Sequence, residues 1–151
     1  MFVGDSIAAD VHPKGIARPL LQIQERGLAN LRVVHADALD FMVSRLPDTS
    51  LAEVLVFFPD PWPKSRHNKR RLVRDDFARV AIRVLQPNGR LHLATDDRDY
   101  ADAMRKVLGR HPALTCIHDG SRVATRPRTK YEQAGEREGR HAIDLVYRLR
   151  I

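Results

Sequence analysis

The spacing of apolar residues along the chain predicts alternating strands and helices. Short apolar runs indicate strands, whereas Ile16, Leu20 and Ile23 lie at the spacing of one helix face. The run 53–58 is apolar almost throughout, which is typical of a strand buried on both faces. The predicted strands are 6–11, 31–35, 53–58, 91–95, 114–118 and 143–149, and the predicted helices are about 14–26, 38–46, 75–85 and 100–108.

Capping and turn residues predict where these helices begin and end. Pro47 would stop the second helix, because proline cannot continue it. Asp75 or Asp76 is a suitable N-cap for the third helix, and the Pro-Asn-Gly sequence at 87–89 would end it. The polar stretch 119–140 carries no predicted element.

The order of the elements indicates an α/β fold with a mostly parallel sheet, because strands and helices alternate until two final strands. Ligands bind in such folds beyond the carboxyl ends of the strands. An aspartate ends or follows each of the first four predicted strands, namely Asp10, Asp37, Asp60 and Asp96. Since parallel strands end at the same edge of a sheet, the four carboxylates would face one site.

Each of these aspartates also has a plainer interpretation as a helix N-cap, because each precedes a helix or a turn. For Asp37 the two interpretations are equally supported. For Asp60 the cap interpretation is weaker, because Pro59 and Pro61 fix the backbone around it more tightly than a cap requires.

The composition, with 43% hydrophobic and 30% charged residues in a chain of 151, predicts one soluble folded domain. No apolar run is long enough to cross a membrane, and the start at Met1, Phe2 and Val3 shows no signal-peptide pattern. The single cysteine, Cys116, excludes an intrachain disulfide and favours a reducing cytoplasm. We interpret Cys116 as a small core residue within a strand.

The chain is basic, with 26 Lys and Arg against 19 Asp and Glu and a net charge of +7. Such a charge fits either a polyanionic partner or a solvated basic surface. The run 64–74 holds six positive residues and no acid, and 122–130 is a second acid-free basic stretch. Because the first run follows Asp60 closely, a basic rim around the carboxylates would attract a phosphate backbone; a solvated loop or a localisation signal is the alternative.

Other chemistries find little support. The seven histidines are scattered without the spacing of metal ligands, so we expect no metal. Neither a P-loop nor a nucleophile-elbow motif is present. For Trp62, the single tryptophan, we favour a half-buried anchor that packs its loop on the sheet over stacking against a base.

Several blocks of the sequence together resemble a known family. The block PDPWPK at 59–64 is followed by RHNKRR at 66–71. The further blocks are DVHPKG at 10–15, LATD at 93–96 with Tyr100, RPRTKYE at 126–132, GER at 135–137 and DL at 144–145. In this order, over nearly the whole chain, they resemble the bacterial tRNA (guanine-N7)-methyltransferases, the TrmB family.

The resemblance implies a Rossmann-like class I methyltransferase fold, with a mostly parallel sheet and an antiparallel C-terminal strand. It implies a cytoplasmic enzyme that transfers a methyl group from S-adenosyl-L-methionine to N7 of a variable-loop guanine in tRNA. Carried over to this sequence, the implied cofactor contacts are Asp10, Asp37 and Asp60, and Asp60 is also the implied catalytic position. The implied substrate contacts are Lys64, Asp96, Thr129, Lys130, Tyr131 and Glu132. The implied RNA contacts are Arg66, His67, Asn68, Lys69, Arg70 and Arg71.

The chain departs from the family pattern at its start. The family's first strand and its glycine-rich cofactor loop have no counterpart before Asp10. We therefore expect a single incomplete domain, 1–151, whose sheet lacks its first strand, and we favour a monomer. Asp10 stands where Glu is usual and Tyr131 where Phe is usual. A non-catalytic RNA-binding remnant of the same fold is the alternative function.

Overall fold

The computed structural model describes residues 4–151, so the predicted absence of a signal peptide at Met1, Phe2 and Val3 falls outside it. The described chain separates into two compact units, one through Leu46 and one of Pro47–Ile151. The expectation of a single incomplete domain stays a prediction. No helix among the described residues is long and apolar enough to span a bilayer.

The first unit is a βαβα arrangement on a two-stranded parallel sheet. Its elements are β1 Ser6–Asp10, α1 Pro13–Arg26, β2 Leu31–His35 and α2 Ala38–Arg45. The strands pair in parallel from Ser6 opposite Leu31 to Asp10 opposite His35. Helix α1 begins with Pro13, whose missing N–H is not needed in a first turn. It ends at Gly27, which takes the left-handed conformation (φ 61°) of a C-terminal cap. The predicted elements of this unit are confirmed within one residue at each end.

The second unit carries a four-stranded mixed sheet. Its elements are β3 Leu51–Phe57, a 3-10 helix Ser65–Arg70, α3 Asp75–Val84, β4 Leu85–Thr95, α4 Arg98–Leu108, β5 Leu114–Ser121, α5 Lys130–Arg137 and β6 Ile143–Leu149. The strand order is β3-β4-β6-β5. Strands β3 and β4 are parallel, and β6 runs antiparallel to both of its neighbours. The predicted parallel sheet with an antiparallel C-terminal strand is confirmed.

The core of the second unit lies where α3 and α4 pack on the central strands. The two helices bury side chains at helical spacing, Phe77 and Ala81 from α3 and Tyr100 and Met104 from α4. They meet alternate residues of the sheet such as Leu93, which is fully buried. Burying each large apolar side chain stabilises the fold by roughly 1.5–3 kcal/mol. This packing fixes the ends of β3 and β4, from which the candidate site extends.

Three local predictions in the second unit are wrong. Strand β3 is buried on one face only, because Val54 and Val56 face the core while Leu55 is 37% exposed. The N-cap of α3 is Arg74, and both candidate aspartates lie in the first helical turn. The segment 87–89 does not end a helix, because α3 has already ended at Val84 and 85–95 is one continuous strand.

Two further differences follow from side chains that do not match simple patterns. Helix α5 was not predicted, because the residues it buries are Glu132 and Gly135 and therefore give no apolar periodicity. Cys116 lies within β5, as predicted, but it is exposed and so is not a core residue. Its thiol donates to the carbonyl of His118 across 3.4 Å.

Candidate active site

Within each unit, two of the predicted aspartates follow strands that end side by side. In the first unit, Asp10 ends β1 opposite His35 of β2, and Asp37 comes two residues after that strand. In the second unit, Asp60 comes after β3 and Asp96 directly after β4, two neighbouring parallel strands. The convergence of all four carboxylates at one rim stays a prediction.

The carboxylate of Asp10 rests on the first turn of α1. One of its oxygens accepts a hydrogen bond from the backbone N–H of His12 at 2.8 Å. A side chain at Gly15 is not compatible with this arrangement, because a Cβ there would lie 1.9 Å from Asp10 Oδ2. Gly15 is therefore the residue that allows the carboxylate to lie against the helix.

Asp37 is the N-cap of α2. Its Oδ1 accepts a hydrogen bond from the N–H of Asp40 at 3.0 Å, which satisfies one of the free donors of a helix start. The helix-cap interpretation of Asp37 is thus confirmed. The predicted cofactor contact of this residue stays a prediction.

The loop 58–62, which we call the Asp60 loop, has an unusual backbone. Its two ends, Phe58 and Trp62, have φ values of 52° and 42°. Bulky residues rarely adopt this left-handed region, and when they do the surrounding structure must hold them there. Between them, Pro59 and Pro61 restrict the backbone on either side of Asp60, whose side chain is exposed. The loop thus presents one carboxylate from a stiff support.

Arg71 holds the far end of the Asp60 loop. Its side chain is only 4% exposed, and its Nε donates to the carbonyl oxygen of Pro61 at 2.6 Å. Its Nη2 donates to Asp99 Oδ2, also at 2.6 Å, and its guanidinium carbon lies 4.8 Å from the centre of the Tyr100 ring. The buried guanidinium group donates to the protein itself through Nε and Nη2, and the predicted RNA contact of Arg71 stays a prediction.

Tyr100 lies beneath the same loop. Its hydroxyl oxygen accepts the backbone N–H of Val73 at 3.1 Å. Burial raises the pKa of the Tyr100 phenol; the hydrogen bond from Val73 and the charge of Arg71 oppose that rise, and the carboxylate of Asp60 adds to it. A neutral phenol therefore supports the loop from α4.

The basic 3-10 helix that follows presents its cations to solvent. Lys64 is its N-cap, and four of the predicted RNA contacts are exposed, namely Arg66, Asn68, Lys69 and Arg70. The guanidinium carbon of Arg70 lies 5.0 Å from the Trp62 ring, and the His67 ring meets Trp62 edge to face at 6.0 Å. Trp62 is half-buried, as predicted, and it packs against this helix.

Asp96 joins the end of β4 to helix α5. Its Oδ2 accepts a hydrogen bond from Arg140 Nε at 2.7 Å. A Cβ at Gly135 would lie 2.4 Å from the same oxygen, so this glycine lets α5 approach the carboxylate. Asp96 and Pro61 both line a cavity of about 860 Å³, whose walls also carry Arg98.

Arg126 is the buried residue that anchors the second basic stretch, 122–130, to the interior of the protein. Its two terminal nitrogens donate to both carboxylate oxygens of Glu132 at 2.9 Å, and its Nε donates to Asp144 Oδ2 at 2.8 Å. All three side chains are buried. Both oxygens of the Glu132 carboxylate take part in this bidentate ion pair, and the predicted substrate contact of Glu132 stays a prediction.

Asp144 is the centre of this buried network. Besides Arg126, its Oδ2 is within hydrogen-bond distance of His92 Nε2 and of the backbone N–H of Val123, both at 3.0 Å. Burial raises the pKa of Asp144, but the hydrogen bonds from His92, Arg126 and Val123 outweigh it and lower the pKa to about 2. His92 could not be identified from the sequence, because a histidine within an apolar strand does not indicate which residue it contacts.

The remaining predicted substrate residues lie at the start of α5. Thr129 is the N-cap, and its Oγ1 accepts the N–H of Glu132 at 3.1 Å. The ammonium group of Lys130 lies 5.0 Å from the centre of the Tyr131 ring, and both side chains are exposed. Among residues 4–151, no group of three or more His, Cys, Asp or Glu side chains is arranged to hold a metal ion.

A family model described as "Putative methyltransferase" matches residues 4–145. The chain belongs to this methyltransferase family. The resemblance based on the PDPWPK and RHNKRR blocks is confirmed by relatives of the same name. The chain is 48% identical over 148 residues to a tRNA (guanine-N(7)-)-methyltransferase of Methylococcus capsulatus. It is 45% identical over 149 residues to a tRNA (guanine-N(7)-)-methyltransferase of Alkalilimnicola ehrlichii.

These matches cover nearly all of the chain but a smaller part of its relatives. The match to the Methylococcus capsulatus protein covers 95% of this methyltransferase-family chain and 64% of that protein. The match to the Alkalilimnicola ehrlichii protein covers 97% of the chain and 63% of that protein. The chain thus spans a little under two thirds of their length.

Solved structures confirm the methyltransferase fold. An rRNA methylase from Streptococcus thermophilus matches 97% of the chain with a TM-score of 0.63 at 11% identity, and 74% of that structure is covered. The N-methyltransferase NodS from Bradyrhizobium japonicum, in complex with S-adenosyl-L-homocysteine, matches 95% of the chain with a TM-score of 0.60 at 14% identity, covering 65% of that structure. At such identities the likeness concerns the fold alone.

Proposed function

We propose that this chain carries most of the catalytic domain of a tRNA (guanine-N7)-methyltransferase that uses S-adenosyl-L-methionine. The observation that carries the proposal is the identity of 48% over 148 residues to a protein of that name, in a chain whose Asp60 loop is rigidly held. A tRNA substrate also suits the net charge of +7.

The first unit has acceptors suited to the nucleoside part of the cofactor. A carboxylate at the end of a strand in this type of fold holds ribose hydroxyls, and Asp10 ends β1 with one oxygen bonded to His12. Asp37, exposed at the end of the next strand, would accept from the adenine amino group. The ribose hydroxyls and the adenine amino group of the cofactor are donors, so two acceptor carboxylates are chemically suited to it.

The reaction makes few demands on acid–base chemistry. S-adenosyl-L-methionine, when bound, supplies an electrophilic methyl group on a sulfonium. N7 of guanine has a free lone pair, so no residue has to remove a proton before attack, and catalysis depends mainly on positioning. Methylation leaves the base positively charged. We assign Asp60 and Asp96 to stabilising that charge as it develops.

The exposed cations around the Asp60 loop would hold the tRNA backbone. Arg66, Lys69 and Arg70 project from a helix that begins directly after the loop. Phosphate contacts of this kind position the nucleic acid without reading its sequence. Lys130 and Tyr131 would contact the substrate from α5. We place the protein in the cytoplasm, as a monomer that acts on tRNA.

Methyl transfer to an unmodified tRNA transcript tests the proposal. With radiolabelled S-adenosyl-L-methionine, the expected product is 7-methylguanine, located by its selective chain cleavage. We expect Asp60→Asn to lower turnover by about 10²-fold or more. The control is Asp102→Asn on α4, whose carboxylate is 75% exposed and which we expect to behave as the parent.

The alternative function gives a different result. A non-catalytic RNA-binding module would bind tRNA with a steep salt dependence, yet show neither methyl transfer nor heat of S-adenosyl-L-methionine binding by calorimetry. Equal turnover by the parent and Asp60→Asn would refute the assigned role of Asp60.

A further inference from the structure

Two arginines from the basic stretches do not face solvent but lie under the Asp60 loop. We infer that Arg71 and Arg126 are positioning residues, which hold the two ends of this loop and thereby aim the carboxylate of Asp60. The inference rests on the proposed function for its catalytic consequence. Its structural part concerns the conformation of the loop itself.

The loop needs support from outside because its own backbone has few donors. Proline lacks an N–H, and positions 59 and 61 within the loop are proline, as is position 63 directly after it. The left-handed conformations of Phe58 and Trp62 add a further energetic cost. The groups of the loop that other residues can contact are its carbonyl oxygens and its aromatic rings. Both are good partners for a guanidinium group, which carries several donors on a flat surface that stacks on aromatic rings.

Arg71 holds the C-terminal end of the loop. It donates to the carbonyl of Pro61 and to Asp99 at the same time, each across 2.6 Å, and it stacks on Tyr100. These contacts tie the loop to α4. A lysine cannot reproduce them, because its single ammonium group lacks the planar fork that reaches two acceptors in different directions.

Arg126 supports the N-terminal end. Its guanidinium carbon lies 5.5 Å from the centre of the Phe57 ring and 5.4 Å from that of Phe58. The guanidinium group cannot turn away, because Glu132 and Asp144 occupy its donors. The backbone of Phe58 is itself fixed, since its N–H donates to the carbonyl of Ala94 in β4 at 2.7 Å.

This arrangement has a specific kinetic consequence. If both arginines act through the position of Asp60, a variant should retain substrate binding and lose rate, since a displacement of about 1 Å at the reacting centre can cost about 10²-fold. A residue that contacts RNA directly would instead weaken tRNA binding.

The loop contains its own reporter, because Trp62 is the only tryptophan in the sequence. Arg71→Lys is compared with Arg79→Lys, a substitution of the same type at an exposed ion pair on α3. For Arg71→Lys we expect a shifted Trp62 emission and stronger acrylamide quenching, kcat lower by about 10²-fold, and KM for both substrates within about twofold of the parent. For Arg79→Lys we expect the parent's values throughout.

Two further variants test the inference if the buried substitution Arg71→Lys unfolds the protein. Asp99→Asn removes the negative charge of the exposed partner of Arg71 and should move Trp62 emission and kcat in the same direction, by a smaller amount. Phe58→Leu removes the ring beneath Arg126 and should do the same from the other end of the loop. Far-UV circular dichroism confirms that each variant is folded at the assay temperature.

The outcomes separate this inference from the proposed function. A parent chain that neither transfers a methyl group nor binds S-adenosyl-L-methionine refutes the proposed function, and the Trp62 signal then still decides whether Arg71 and Arg126 hold the loop. Unchanged Trp62 quenching in Arg71→Lys, Asp99→Asn and Phe58→Leu overturns the inference. So does an Arg71→Lys variant that binds tRNA more weakly at an unchanged kcat, since Arg71 would then be an RNA contact.

Discussion

Replacing Asp144 by alanine should destabilise the second unit far more than replacing an aspartate on its surface. The Asp144 side chain is completely buried, and its Oδ2 has three partners, Arg126, His92 and the N–H of Val123. The alanine variant leaves a buried guanidinium group with less compensating charge, and it leaves the partly buried N–H of Val123 without this acceptor. Breaking a buried ion pair from one side typically costs about 3–5 kcal/mol.

The pKa of Asp144 gives an independent check on part of this cost. A pKa of about 2 in place of the ordinary 3.8 corresponds to a stabilisation on the order of 2 kcal/mol at neutral pH. The hydrogen bond from Val123 is among the causes of the lowered pKa, so its contribution is already contained in this figure.

The sign of the pH dependence follows from the lowered pKa. A carboxyl group whose pKa is lower in the folded state contributes its full stabilisation above about pH 4, and this stabilisation disappears as the pH falls towards the folded-state pKa of about 2. The difference in unfolding free energy between the parent and Asp144→Ala should therefore narrow by on the order of 2 kcal/mol between pH 6 and pH 2. All other carboxyl groups are common to both proteins.

Urea unfolding followed by Trp62 fluorescence measures the effect, because Trp62 lies in the same unit as Asp144. The control is Asp102→Ala, which removes an exposed carboxylate paired with Arg105 on the surface of α4 and should cost less than about 1 kcal/mol. The reasoning fails if the two variants lose the same stability, or if the loss in Asp144→Ala is equal at pH 6 and pH 2.

Three further substitutions have expected outcomes. Gly15→Ala should displace the carboxylate of Asp10, since a Cβ would lie 1.9 Å from Oδ2, and calorimetry should show weaker S-adenosyl-L-methionine binding with tRNA affinity retained. Phe77→Ala, at a side chain that is 1% exposed, should lower the unfolding free energy by about 3–5 kcal/mol in urea. Arg70→Ala should weaken tRNA binding without changing its specificity, and should lower the slope of log affinity against log salt by about one; an unchanged slope would remove Arg70 from the interface.

The order of strands and helices could be read from the sequence because burial follows the periods of regular structure. The face of α4 that carries Tyr100 and Met104 is one example, and β6, found at Ile143–Leu149 as predicted, is another. Helix α5 could not be read in this way. It is held by ion pairs and close approaches of glycine, and these depend on partners outside the helix such as Asp96 and Arg126.

The residue types of the candidate site could be predicted from the sequence. Which of its arginines are buried and which are exposed could not. A run such as 66–71 gives Arg70 and Arg71 the same sequence signal. In the structure one stacks on Trp62 at the surface, and the other is buried against Pro61 and Tyr100. Which arginine faces inward is decided by the direction of a short 3-10 helix, and no periodicity of the sequence reveals that direction.

Two arginines and two carboxylates balance one another's charge in this region, namely Arg122, Arg126, Glu132 and Asp144, and this balance constrains how the region can evolve. Loss of any one member leaves an interior charge uncompensated, so a single replacement is a disadvantage even where a joint replacement by apolar residues is tolerated. In a set of homologues, we expect the four positions to change together or not at all. A lineage in which only one had diverged would identify a compensating group elsewhere in the interior.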